Sequence, residues 1–216
     1  MEGLPSPFTL ILIIGAIGIM PFVIVMATSF AKLVIVFSLI RNALGIQQIP
    51  PNTALNGLAL ILTVYIMMPV VIASYEIVMK EDLRLDDKES VVKVFKEASE
   101  PYRDFLHKHS DPREREFFMA TAYKLWGHEH MEQMKEDNLL ILMPSFTVSE
   151  LTTAFEIGFL IYLPFIVIDL IVSNILLAMG MMMVSPMTIS LPFKLLLFVF
   201  LDGWTYLIHG LVVSYQ

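Results

Sequence analysis

Apolar residues fall in long runs around one charged block. The first run, Phe8–Ile40, is interrupted at Gly15, Gly18, Pro21, Thr28, Ser29, Lys32 and Ser38, and exceeds the roughly 20 residues that cross a hydrocarbon core. It predicts either one tilted helix kinked at Pro21 or a helix followed by a re-entrant piece. Arg41–Asn52 breaks the run, because Gly45 and Pro50-Pro51 do not continue a helix, and a turn is predicted there. Thr53–Tyr75 is a second span with a kink expected at Pro69. After a charged block the chain turns apolar again at Leu139–Met143 and Pro144. Thr147-Val148-Ser149-Glu150 then matches the S/T-x-x-E box and predicts a helix start. That helix would run from Val148 to about Leu177, with Gly158 and Pro164 as bending points. Ile189–Leu201 and Tyr206–Val213 form the last segment, interrupted by Asp202-Gly203.

The block from Lys80 to Asp137 holds 11 of the 14 Lys/Arg and 15 of the 21 Asp/Glu, which makes it the water-facing part. Val91, Phe95, Ala98, Tyr102, Phe105 and Leu106 recur at helical spacing and predict one amphipathic helix. Asp111-Pro112-Arg113-Glu114 predicts the start of another, with Asp111 as cap and Pro112 in the first turn. Phe117, Phe118, Leu125 and Trp126 would supply its buried face. The organisation expected is an apolar helical hairpin over 1–78, a hydrophilic helical insert over 79–138, and a second apolar hairpin over 139–216. The fold class is all-α, with about four long apolar helices.

Composition sharpens this picture. Of the 216 residues, 56% are hydrophobic and 16% charged, whereas soluble domains carry about 25% charged residues. There is no cysteine, so disulfides and thiolate metal sites are excluded. A formal net charge of −7 without a basic patch argues against nucleic acid. No cleavable leader is expected, since Met1–Ser6 holds no Lys or Arg and the apolar run after it is too long for a signal core. Outside the block the basic residues are Lys32, Arg41 and Lys194. They flank the first and third connectors, which places those connectors in the cytoplasm and the termini and insert outside.

The connector Ala178–Met187 is unusual. It has turn formers (Gly180, Ser185, Pro186) but fills the remainder with Met179, Met181, Met182, Met183 and Met187. Methionine is flexible and polarizable, which suits either gap filling between helices or a surface that re-packs around changing shapes. Lys32, Glu76, Glu156, Asp169, Lys194 and Asp202 sit in or beside apolar spans, where a lone charge costs at least roughly 2.5–3.5 kcal/mol. Lys32 and Arg41 are candidates to pair with Glu156, Asp169 or Asp202, within the chain or between copies. Asn42, Asn52, Asn56 and Asn174 add to a picture of helices held by polar contacts. Enzyme signals are weak. His128-Glu129-His130-Met131-Glu132 misses the H-E-x-x-H zinc helix, because Glu132 stands where the second histidine belongs. His107 and His109 point apart on a helix. Asp169 and Asp202 invite an aspartyl-pair reading. No nucleotide or acyl-transfer motif occurs.

Phe30–Phe37, Arg41–Gly45, Gln47–Pro50, Asn56-Gly57, Ser149–Leu151, Ala154-Phe155, Ile157–Phe159, Leu163–Phe165, Ile168–Leu170, Met179–Met183, Ser185-Pro186, Ile189–Lys194 and Asp202–Trp204 follow one another as distinctive blocks. Together they resemble the family of type III export-gate subunits called FliP in flagella and SctR in virulence systems. The likeness runs end to end except for the insert, and the compact chain is closer to the virulence branch.

The resemblance implies a ring of copies, pentameric, built of helical hairpins and sitting largely above the bilayer plane of the bacterial inner membrane, with the insert on the periplasmic side. Implied partners are SctS-type and SctT-type gate subunits, an SctU-type switch subunit, the needle or rod base, and the secreted polypeptides. Met181, Met182 and Met183 would be the gasket of the channel, with Gly180, Ser185, Pro186 and Met187 shaping its loop. Lys32, Arg41, Asn42, Glu156, Asp169, Lys194 and Asp202 would make interhelical or intersubunit contacts. The expectation is a conduit, not a catalyst, with no cofactor and no metal. Energy would come from the membrane potential and a separate ATPase. A stand-alone ion channel or transporter and an intramembrane aspartyl protease are the alternatives.

Overall fold

The computed structural model describes residues 7–46, 49–80, 88–127 and 136–216. Among these residues there are nine helices and no strand: α1 Pro7–Met26, α2 Phe30–Ala43, α3 Asn52–Lys80, α4 Lys88–Ala98, α5 Glu100–His109, α6 Pro112–Trp126, α7 Leu139–Ala178, α8 Pro186–Phe200 and α9 Gly203–Val213. Two of them, α3 and α7, are long and apolar enough to cross a membrane. The number rises to four if the broken pairs α1/α2 and α8/α9 each count as one span. The chain divides into two compact units, one of residues 1–31 and 63–150, the other of 32–62 and 151–216.

In the first unit the long amino-terminal run breaks at Ala27-Thr28-Ser29, while Pro21 lies inside α1. The reason is a set of hydroxyl partners for the carbonyls that the break frees. Thr28 Oγ1 donates to Ile24 O (2.5 Å) and accepts from Phe30 N–H (3.3 Å). Tyr102 Oη donates to Ala27 O (2.7 Å), and Thr147 Oγ1 donates to Met26 O (2.8 Å). Burial raises the Tyr102 phenol far above its ordinary value, so it stays a donor at any physiological pH.

The predicted single amphipathic helix is instead two. Pro101 lacks the N–H that would continue the ladder, and α5 starts afresh from Ser99. Phe105 and Leu106 are buried, with the Phe105 ring 5.6 Å from that of Phe146, but Phe95 is exposed. Of the four residues expected on the buried face of α6, Phe118 packs inward and the other three do not. Ala122 packs on Ile141 with Phe118 and Met119 around it, while Phe117, Leu125 and Trp126 are exposed.

The α6 cap does form where predicted. Asp111 Oδ1 accepts from Arg113 N–H at 2.8 Å, and the Arg113 guanidinium reaches Oδ2 at 2.8 Å. These hydrogen bonds hold the Asp111 carboxyl below its usual range. A lowered folded value stabilises the helix start at neutral pH; the gain is full above the ordinary carboxylate range, about 4, and is lost as pH falls below it through the lowered value of the folded state. Amide exchange over residues 113–116, corrected for intrinsic rates, is therefore expected to speed up as pH drops below that range. In Asp111→Ala it should be fast already at pH 7; equal protection in that variant would refute the cap.

The capping box at Thr147 is not a helix start. Helix α7 begins eight residues earlier, where Asn138 Oδ1 accepts from Leu140 N–H at 2.9 Å. Ser145, Thr147 and Ser149 lie within the helix and bond back to the carbonyls four residues before them, at 2.6, 2.7 and 2.7 Å. Ser149 Oγ also accepts from Asp111 N–H at 2.8 Å, which ties α6 to α7. At 40 residues, α7 is about 60 Å long.

In the second unit the core is aromatic. Trp204 sits edge-on to Phe37 and Phe198, with centroids 6.1 and 5.5 Å away, and Phe165 lies 6.4 Å from Phe198. The α8–α9 break brings Gly203 against the Phe198 ring so closely that a Cβ there would collide with it. Asp202 takes the left-handed conformation at this corner (φ 50°), and the two helices bend by 59°.

Candidate functional site

The methionine connector begins with a Schellman turn. Helix α7 ends at Ala178, Gly180 adopts φ +72°, Met181 N–H reaches Leu176 O (2.9 Å) and Gly180 N–H reaches Leu177 O (3.0 Å). Glycine is suited to that position because a left-handed residue with a side chain is strained. Two further turns follow, Met182 N–H to Gly180 O (3.0 Å) and Val184 N–H to Met181 O (3.4 Å). Ser185 is the N-cap residue of α8 and Pro186 its first helical residue, which needs no donor. The loop is therefore short and turned at both ends. Its methionines point outward: Met182 is 82% exposed, Met183 is completely exposed, and Met179 and Met187 are exposed as well.

Behind the loop the hairpin is clamped by a polar cluster. Lys194, only 2% exposed, donates to Asp169 Oδ2 at 2.5 Å and to Ala43 O at 3.1 Å. Ser190 Oγ donates to the other carboxylate oxygen, Oδ1, at 2.6 Å. Ala43 is the last residue of α2, so its carbonyl has no partner within the helix. A buried ammonium there satisfies the carbonyl and meets the negative end of the α2 dipole. A second Schellman turn closes α2, with Gly45 at φ +76° and its open side facing Leu191 and Met187. One cluster thus joins α2, α7 and α8.

The other sequence candidates are distributed. Lys32 is buried, its ammonium 3.8 Å from the Tyr215 ring centroid. Arg41 donates to Asn52 Oδ1 and to Pro50 O, which ties the end of α2 to the start of α3. Asn42 and Glu156 are exposed. Asp202 accepts from Thr205 Oγ1 at 3.0 Å. Asp169 and Asp202 thus keep separate partners, and the carboxylate's partner in this chain is Lys194 rather than Lys32 or Arg41. Glu76 forms an exposed pair with Lys80. The motif 128–132 lies outside the described residues. Among the described residues, no group of three or more His, Asp or Glu converges as metal ligands. Sequence reasoning missed Ser190 and the carbonyl of Ala43; no spacing signal connects them to Asp169.

Among the described residues the architecture is all-helical, with two to four apolar stretches long enough to cross a membrane and an exposed apolar loop on a braced hairpin, which defines the class as a helical protein of membrane type. The sequence profile of the FliP family matches residues 13–211, and the chain belongs to that family. It is 58% identical to the Yop proteins translocation protein R of Yersinia pestis over all of this chain and 99% of that protein. Identity to the virulence protein YscR of Salmonella typhimurium is 51%, over 98% of each chain. With the hypersensitivity response secretion protein HrcR of Ralstonia nicotianae it is 45%, over 96% of this chain and 97% of the other. The first and third of these relatives are named as translocation and secretion proteins, and the second as a virulence protein.

Proposed function

We propose that this chain is a ring-forming core subunit of a type III secretion export gate in the bacterial inner membrane. Identical copies, five in number, contribute Met181, Met182 and Met183 to a shared constriction through which unfolded polypeptides pass. The observation that carries this reading is the outward display of those thioethers on a loop pinned by a Schellman turn, a proline start and the Lys194 cluster. A chain that worked alone would gain nothing from exposing that surface, whereas a ring can close it on itself and mould it around cargo. An apolar groove between α7 and α8, lined by Ile168, Ile171, Val172, Ile175, Ile189 and Phe193, supports a covering neighbour, either a second copy or an SctS-type or SctT-type subunit. The insert would face the periplasm, towards the needle or rod base, and the SctU-type switch subunit would join from the membrane side. The chain conducts and does not catalyse.

Because the chain has no cysteine, Met183→Cys provides a single thiol per copy. A short bis-maleimide added to the purified gate should join copies covalently through it. A cysteine at exposed Phe117 in the insert serves as a comparison. Failure of Met183→Cys to cross-link, in a complex that holds several copies, would remove the shared constriction.

A further inference from the structure

The methionine loop is irregular backbone at the tip of a long apolar hairpin. The amides of Met183 and Ser185 have no partner among the described residues. Unpaired backbone groups persist only where they meet polar protein or water, in a membrane or outside it, and no polar group of the described residues answers these two amides. Water is left as their partner, and small water-soluble reagents reach the loop with it. By contrast Met67, in the middle of α3, is 7% exposed. Exposed Met20 and Met68 lie on apolar helix faces suited to lipid or protein contact, with their backbone satisfied within the helix. The absence of cysteine leaves no thiol to intercept an oxidant.

From this combination we propose that Met181, Met182 and Met183 are a site of reversible oxidation by hydroperoxides, and that their sulfoxides hold the constriction open. The second half rests on the sealing role proposed above. In the reaction a thioether sulfur attacks one oxygen of hydrogen peroxide. The O–O bond breaks as the S–O bond forms, and the departing hydroxide takes up the proton that the transferred oxygen gives up, leaving as water. Sulfur is oxidised and peroxide reduced, with no other reactant. The product is a polar, chiral side chain with a strong acceptor oxygen in place of an apolar one. Sulfoxides facing one another across a narrow hole would recruit water where thioethers exclude it. Enzymatic reduction of each sulfoxide epimer would restore the thioether.

The test uses the intact gate complex in liposomes, treated with hydrogen peroxide and mapped for sulfoxide by peptide mass spectrometry. Met181–Met183 should oxidise several-fold faster than Met67. Ion leak should rise with their oxidation, and both should revert with the two methionine sulfoxide reductases. A complex carrying Met181→Leu, Met182→Leu and Met183→Leu keeps apolar bulk without oxidisable sulfur. Its leak should not change on peroxide treatment; a rise there places the effect elsewhere and overturns the proposal. Loop methionines that oxidise no faster than Met67 overturn it too, whatever the leak does. If the loop oxidises and the leak stays flat, the opening half is overturned. In that case the alanine variant of the same three residues shows where the failure lies: a leak there leaves the seal standing, and no leak removes the seal as well.

Discussion

Asp169→Ala is expected to destabilise the folded chain more than Lys194→Ala does. The two residues form one ion pair, but they are buried unequally: the Lys194 side chain is 3% exposed and that of Asp169 is 37%. Removing the lysine leaves a carboxylate that water already reaches and that keeps its Ser190 hydroxyl. Removing the aspartate leaves an ammonium in the core with one carbonyl, Ala43 O at 3.1 Å, as its acceptor. An uncompensated buried charge costs about 3–5 kcal/mol, so Asp169→Ala belongs near that figure. Lys194→Ala loses the pair and orphans the α2 carbonyl, about 1–3 kcal/mol for the unsatisfied group. Thermal unfolding of the detergent-purified chain measures both. The double replacement Asp169→Leu with Lys194→Met should recover much of the loss, since an apolar pair of similar volume is often neutral. Equal losses in the two single variants would show that the cluster is not the asymmetric brace described.

This cluster also shows what a sequence reveals and what it conceals. The apolar runs, the Asp111 cap, the corner at Asp202-Gly203 and the family blocks are local features, and each was legible because its cause lies within a few residues. The break at Ala27–Ser29 was not, because the hydroxyls that satisfy it come from Tyr102 and Thr147, 75 and 121 positions away. Thr147-Val148-Ser149-Glu150 read as a helix start because its side chains match a capping box, yet the same hydroxyls also bond back within a helix, and Asn138 supplies the cap. In the insert, helical spacing alone could not locate Pro101 as a boundary or favour Ala122 over the larger aromatics as the buried position. The charge-based orientation rested on Lys32, Arg41 and Lys194. Two of these, Lys32 and Lys194, are buried, so they report packing more directly than loop position. The loop geometry was half legible: glycine, serine and proline predicted turns, but only coordinates show that the methionines between them face outward.

Replacing Met181, Met182 and Met183 together with alanine should raise ion leak through the assembled gate by at least about tenfold. A tenfold change needs only about 1.4 kcal/mol off the barrier. Burying one methionine side chain is worth about 1.5–3 kcal/mol, and each copy would lose most of that contact at three positions. The loop's exposure makes the experiment clean. Met182 and Met183 touch little of their own chain, being 82% and fully exposed, and Met181 is 40% exposed, so the triple variant should lose far less thermal stability than either Asp169→Ala or Lys194→Ala. Leak without loss of stability would then locate the seal in the ring rather than in the fold of the subunit. Leucine at the same three positions retains apolar bulk and should leak less than alanine, though its branching costs the adaptability of an unbranched thioether. Conductance in the alanine variant equal to that of the parent, measured in the same bilayer and with the complex intact, would mean that these side chains do not close the passage. The constriction would then have to be sought at the apolar faces of α7 and α8 instead.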